Sequence, residues 1–257
     1  MSNYVVKNRI ETCKMLESMI GKERIVITRY SDGEANIFRG KKGIDLQCGN
    51  EDSTVMRSIL IRAIQDDRQM VCINELKESN LKKKDRWVKV QKELAEIGKH
   101  SLYWGANWNI HDFQNGNKIL LNLFKGKVLI VGGHAGDIKR AFDTMGKDVD
   151  VYETRLKAAS LDYDRYLRDL EKMVSIGYDN ILFSCGPIGK VLIVDLISKC
   201  DSNLVDFGSL INAIIDGVLY EDRRTVRSWN MNWADKHNIR KLSRELMAKI
   251  GEQDESS

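Results

Sequence analysis

Val128-Leu129-Ile130-Val131-Gly132-Gly133-His134-Ala135-Gly136-Asp137 passes from an unbroken run of branched apolar residues, through a glycine turn, into a helix start. A short apolar run without alternation, closed by glycine, reads as a strand buried on both faces, the kind that parallel sheets require. The same phrase recurs downstream. Strands are expected at Val149-Asp150-Val151-Tyr152, Asn180-Ile181-Leu182-Phe183 and Asn203-Leu204-Val205, with helical patterns between them. Upstream, residues 25 to 29, Met70 to Asn74 and Ser101 to Trp104 read as further strands. Helical spacing of apolar residues marks Asn8 to Ile20, Val55 to Ile64 and Trp87 to Ile97. Gly105 to Asn117 reads as irregular. Strands alternating with helices mean an α/β protein: a Rossmann-like, mostly parallel sheet with helices on both faces, an N-terminal helix and a helical C-terminal extension. Ligands of such sheets bind beyond the carboxyl ends of the strands, where strand order reverses.

The 257 residues suffice for one large core. Residues 1–245 are read as a single domain and 246–257 as a polar, disordered tail. An apolar share of 42% with 30% charged residues suits a soluble globular chain. The longest apolar runs fall short of the ~20 residues that cross a bilayer, and the start lacks a secretory apolar core, so the reading is cytoplasmic. Cys13, Cys48, Cys72, Cys185 and Cys200 show no paired short spacing, which speaks against zinc or a disulfide framework. A formal charge of +4 is too small for a nucleic-acid footprint. The run Lys82-Lys83-Lys84-Asp85-Arg86 is read as a solvated helix face.

Four strand ends carry candidate chemistry. At the first, Arg29-Tyr30-Ser31-Asp32-Gly33-Glu34 delivers a guanidinium and two carboxylates. Asp32 and Glu34 are the acids that would share a hard divalent cation (Mn²⁺ or Mg²⁺), Gly33 lets phosphate approach, and Arg29 offers a planar fork of donors. Ser31 with Glu34 also satisfies the capping-box pattern, so a plain helix cap stands beside the site reading. At the second, Gly132 and Gly133 open a turn able to pack against phosphate or nucleoside, with His134 as a base or a turn residue. Glu153, about twenty residues on, is placed to hold ribose hydroxyls. At the third, Gly186, Pro187 and Lys190 sit at a helix start, with Cys185 as a packing residue. At the fourth, Asp206 ends a strand. The clusters Tyr103-Trp104-Gly105-Ala106-Asn107-Trp108 and Ser228-Trp229-Asn230-Met231-Asn232-Trp233 offer indole faces. The second reads as core or subunit contact, and the first stays open as a sugar platform.

Taken in order, Arg29 to Glu34, Gly43 to Gln47, Cys185 to Leu196 and Val205 to Gly208 resemble the motifs of the GT-D-type bacterial glycosyltransferases, over residues 20 to 215. Ser31 stands where the family has glycine. Ser209, Leu210 and Ile211 stand where many relatives carry a histidine and then an acid. The resemblance implies a Rossmann-like fold and transfer of a sugar from a nucleoside-diphosphate sugar, a UDP-sugar in this reading, to a hydroxyl acceptor on a glycan, glycolipid or glycoprotein. It implies a divalent metal at Asp32 and Glu34, both catalytic, and donor contacts from Arg29, Ser31, Gly33, Gly132, Gly133, Gly186, Pro187, Lys190 and Asp206. Peripheral membrane contact and a homo-oligomer are compatible with it. Two other classes fit the residues: an S-adenosylmethionine-dependent methyltransferase using Gly133 and Glu153, and a nucleotide-binding protein without turnover.

Overall fold

The computed structural model describes residues 4–40, 53–74, 84–156, 159–219 and 236–255. Eight strands form one sheet: β1 (Val5–Val6), β2 (Val26–Tyr30), β3 (Met70–Ile73), β4 (Leu102–Gly105), β5 (Val128–Gly132), β6 (Asp150–Glu153), β7 (Asn180–Ser184) and β8 (Asn203–Asp206). Their order is β1-β4-β3-β2-β8-β7-β5-β6, and every neighbouring pair is parallel. All five residues of β5 are buried, as a strand covered on both faces must be.

Helices α2 (Asp32–Phe38), α3 (Ser53–Ile64), α4 (Lys84–Gly98), α8 (Tyr163–Val174) and α9 (Pro187–Leu196) pack on one face. The other face carries α1 (Arg9–Met19), α5 (Trp108–Gln114), α6 (Lys118–Leu123), α7 (Ala135–Thr144), α10 (Leu210–Leu219) and α11 (Lys236–Glu255). This division positions the site. The chain leaving β2 and β7 turns onto the first face, through α2 and α9, whereas the chain leaving β8, which lies between them, turns onto the second through α10. The carboxyl ends of β2, β8 and β7 therefore open toward one another at a switch in the middle of the sheet. No helix among the described residues is long and apolar enough to cross a membrane.

Two expectations need correction, and one strand was not anticipated. Strand β1 has only two residues, too few to print a pattern in the sequence. The segment from Gly105 to Asn117 is not irregular throughout: α5 occupies Trp108–Gln114 and buries Trp108 and Phe113, in a helix shorter than the window over which periodicity can be read. Nor is 246–257 a free tail, because α11 continues to Glu255 and buries Leu246, Met247 and Ile250 against α10 and its neighbours. The polar composition after Gly251 hid a stripe, Leu242-Leu246-Ile250, at four-residue spacing.

Candidate active site at the ends of β2, β7 and β8

Strand β2 delivers Arg29 and Tyr30, and Ser31 caps α2. The capping-box reading holds, and the Glu34 carboxylate accepts the Ser31 amide at 2.8 Å and the Ser31 hydroxyl at 3.2 Å. Glu34 does more than cap. Its other oxygen lies 2.9 Å from the Lys190 ammonium, which lies 3.0 Å from Asp206 Oδ2. All three side chains are buried. Three separate strand ends thus converge on one ammonium: Glu34 after β2, Lys190 after β7 and Asp206 at the end of β8.

Local geometry explains why Lys190 arrives there. Gly186 caps α9 at φ 65° and ψ −142°, a conformation closed to residues with a Cβ. Pro187 then occupies the first helical position, where its missing amide costs nothing. One turn later Lys190 faces inward, its ammonium 3.3 Å from the Gly186 carbonyl and 5.9 Å from the centre of the Tyr30 ring. Helix α9 is apolar and buried nearly all round, so its single ammonium is tolerated only because it is paired.

The electrostatics follow. Burial works to raise the Glu34 pKa, yet Lys190 and the Ser31 amide outweigh it and hold the carboxyl below its ordinary range. For Lys190 burial works downward, and the Asp206 and Glu34 carboxylates more than reverse it, so the amine stays charged. Cys185 is pushed up to about 12, by burial first and by Asp206 second, and is an inert packing thiol. Gly189 gives it room, since a Cβ there would sit 3.0 Å from the sulfur.

Arg29 works within the scaffold. Its Nε donates to the Ala106 carbonyl at 2.6 Å and its guanidinium to the Phe207 carbonyl at 3.2 Å, while its backbone amide donates to Asp206 at 3.1 Å. Two residues that sequence reasoning missed share the task. Asn109 Nδ2 donates to Phe207 O at 2.9 Å, and Ser184 Oγ donates to Gly208 O at 2.7 Å. Asn109 lies one residue beyond the aromatic cluster, and Ser184 precedes the Cys185-Gly186-Pro187 motif; only proximity to those motifs marks them. Asp206 also accepts the Gly208 amide at 3.1 Å, so the loop after β8 is fixed from several sides.

The other candidates lie elsewhere along the carboxyl edge of the sheet or on its helices. Gly132 ends β5, beside Ser184 of β7 and Glu153 of β6 in the strand register. Gly133 opens the turn next to Leu156 and Thr154, and His134 caps α7 with a left-handed backbone. Glu153 is exposed at the end of the outermost strand on that side. The second turn thus adjoins β7, away from Arg29 and Glu34. Gly33 lies in α2 with open space where a Cβ would project. Trp108 is buried to 1% exposure and is core, so the Tyr103–Trp108 cluster does not present that indole to a sugar. Residues 43–47 and 228–233, and the side chain of Asp32, lie outside the described residues.

Of the two acids assigned to a metal, only the Glu34 side chain is among those described, and it is already engaged. One oxygen of Glu34 holds Lys190 and the other holds Ser31, and among the described residues no group of three or more His, Cys, Asp or Glu is disposed to bind a metal ion.

The sheet order and the two helical layers define a Rossmann-like, all-parallel α/β fold. Solved structures place it more narrowly. The chain is similar to a domain of unknown function 1792 described as having a distinct glycosyltransferase fold, with TM-score 0.62 and 21% identity over 82% of this chain and 80% of that one. A selenomethionine-substituted DUF1792 structure matches at TM-score 0.62 and 22% identity, over the same shares. A protein from Streptococcus sanguinis described as a new glycosyltransferase (DUF1792) matches at TM-score 0.60 and 18% identity, over 81% of this chain and 82% of that one. No family model and no curated protein matches the chain.

Proposed function

We propose that the protein is a glycosyltransferase that moves a sugar from a nucleoside-diphosphate sugar, a UDP-sugar in our reading, to a hydroxyl acceptor of a glycan, glycolipid or glycoprotein. The observation that carries the proposal is the meeting of Glu34, Lys190 and Asp206 from three strand ends at the switch of a glycosyltransferase-fold sheet. The difficult event in such a transfer is departure of the diphosphate while the anomeric carbon gains positive charge. What the chain supplies is preorganisation. The ten-residue helix α9 presents its amino end beside Lys190, and the rigid loop after β8 leaves little to reorganise as charge moves. Glu34, held below the ordinary carboxylate range by Lys190, is a poor proton acceptor. The acceptor hydroxyl therefore gives its proton to another group, for which Asp32, in the same turn, is the candidate.

The test is UDP release from a panel of UDP-sugars, offered with simple sugar and lipid-linked acceptors. Release that depends on acceptor, and that falls by ~10²–10³ in Asp32→Ala, supports transfer. Absence of UDP release and of UDP binding across the panel rejects it.

A further inference from the structure

An Asp-x-Glu turn invites the assignment of both acids to one cation, but Glu34 has a different occupation. Its side chain is 7% exposed and that of Lys190 is 5% exposed, with 2.9 Å between their charged atoms. An ammonium is a compact, strongly hydrated charge and is buried only when paired. Asp206 alone would not serve as well, since its Oδ2 also accepts the Arg29 amide and its Oδ1 the Gly208 amide. A divalent ion on Glu34 would have to share that carboxylate with Lys190 at hydrogen-bond distance, placing two cations side by side in a site from which water is largely excluded. The second oxygen of Glu34 offers no escape, because it holds the Ser31 amide and hydroxyl and thereby fixes the backbone that leads into Asp32.

We infer that Glu34 is, together with Asp206, the standing counter-ion of Lys190 and a positioning residue for the turn after β2, not a metal ligand. Only the bearing of this arrangement on a phosphate rests on the nucleotide-sugar reading. The arrangement makes the turn after β2 rigid by tying it to the first turn of α9 and, through Asp206, to β8. It also deepens the proposed mechanism: Lys190 serves by holding the three strand ends together, and its ammonium is not a direct phosphate contact.

The test compares thermal unfolding of the wild type, Glu34→Gln, Lys190→Met and the double variant, each with and without Mn²⁺. Lys190→Met strands two buried carboxylates and is expected to lower the midpoint by roughly 10 °C. The double variant is expected to fall well short of the sum of the two single losses, because Glu34→Gln removes one of the stranded charges. Any response to Mn²⁺ alone is expected to be the same in the wild type and in Glu34→Gln. Additive losses would overturn the counter-ion role, and a Mn²⁺ stabilisation of the wild type that disappears in Glu34→Gln would overturn the exclusion of metal. Should Lys190→Met fail to fold, the comparison of wild type and Glu34→Gln with Mn²⁺ decides alone. Calorimetry with UDP gives a second reading. Any dependence of UDP binding on Mn²⁺ that is the same in the wild type and in Glu34→Gln supports the exclusion of Glu34 as a ligand, and a dependence lost in Glu34→Gln contradicts it. A wild type that binds no UDP sinks the nucleotide-sugar reading, while the unfolding measurements, made without nucleotide, still decide the role of Glu34.

Discussion

Gly208→Ala strikes the point where the loop after β8 meets Arg29, and its cost can be assembled from the structure. Gly208 sits at φ +60°, and a Cβ there would run into the Arg29 guanidinium. The backbone penalty for an L-residue in the left-handed region is about 1–2 kcal/mol. The clash adds to it. Arg29 is held by carbonyls on both sides, Ala106 at 2.6 Å and Phe207 at 3.2 Å, so the guanidinium cannot swing aside without giving up a charged hydrogen bond, at about 1.5–3 kcal/mol. Partial relaxation leaves a total near ~3 kcal/mol, which for a chain of this size lowers the melting midpoint by roughly 6–12 °C. Gly33→Ala is the control. Nothing lies within 4 Å of its Cβ position and the residue is helical, so the melting midpoint is expected to hold or rise slightly. Differential scanning calorimetry of both variants reads the difference. A Gly208→Ala midpoint that matches the wild type would refute the claim that Arg29 is a fixed clamp between the strand ends.

Other consequences are open to simple measurement. Because the Glu34 pKa is lowered from its ordinary 4.5, its contribution to stability is present above that value and is lost as pH falls through the lower folded value; urea midpoints of Glu34→Gln should therefore decline less steeply than the wild type in that acid window, and parallel curves would refute this. Among the described cysteines Cys13, Cys72 and Cys185 are buried and Cys200 is half-buried, so mild alkylation of the native protein should spare Cys185 in peptide mapping, and rapid labelling there would contradict its raised pKa. Trp108→Phe removes a buried indole whose Nε1 has no hydrogen-bond partner among the described residues; it should cost about 1–3 kcal/mol as a large-to-small core change and leave sugar-acceptor affinity unchanged, whereas a selective loss of acceptor binding would restore that indole to the site.

Much of this architecture was legible because parallel strands buried on both faces print as apolar blocks, and each block here is closed by glycine or a polar residue. Val128 to Val131 and Asn180 to Phe183 were placed to within one residue of β5 and β7. The turns that carry chemistry were legible for the same reason, since a strand end is where polar residues interrupt such a block. The partners of those turns were not. Nothing in the spacing of Glu34, Lys190 and Asp206, which are far apart in the chain, announces that one ammonium sits between two carboxylates; that depends on β8 inserting between β2 and β7. Arg29 reads locally as a phosphate fork and is found holding Ala106 and Phe207, because its neighbours across the sheet present carbonyls. Short elements such as β1 and α5 escaped for want of length. The apolar stripe of α11 escaped because polar residues dominate its last turns.

Whether the ends of β2, β7 and β8 form a nucleotide-sugar site is decided by calorimetric titration of UDP and of S-adenosylmethionine into the purified protein, each with and without Mn²⁺ and repeated on Asp32→Ala. The expected result is UDP binding that is lost in Asp32→Ala, with no binding of S-adenosylmethionine. Binding of S-adenosylmethionine alone, indifferent to metal and to Asp32 and lost when Glu153 is neutralised, would contradict it and move the site to the ends of β5 and β6.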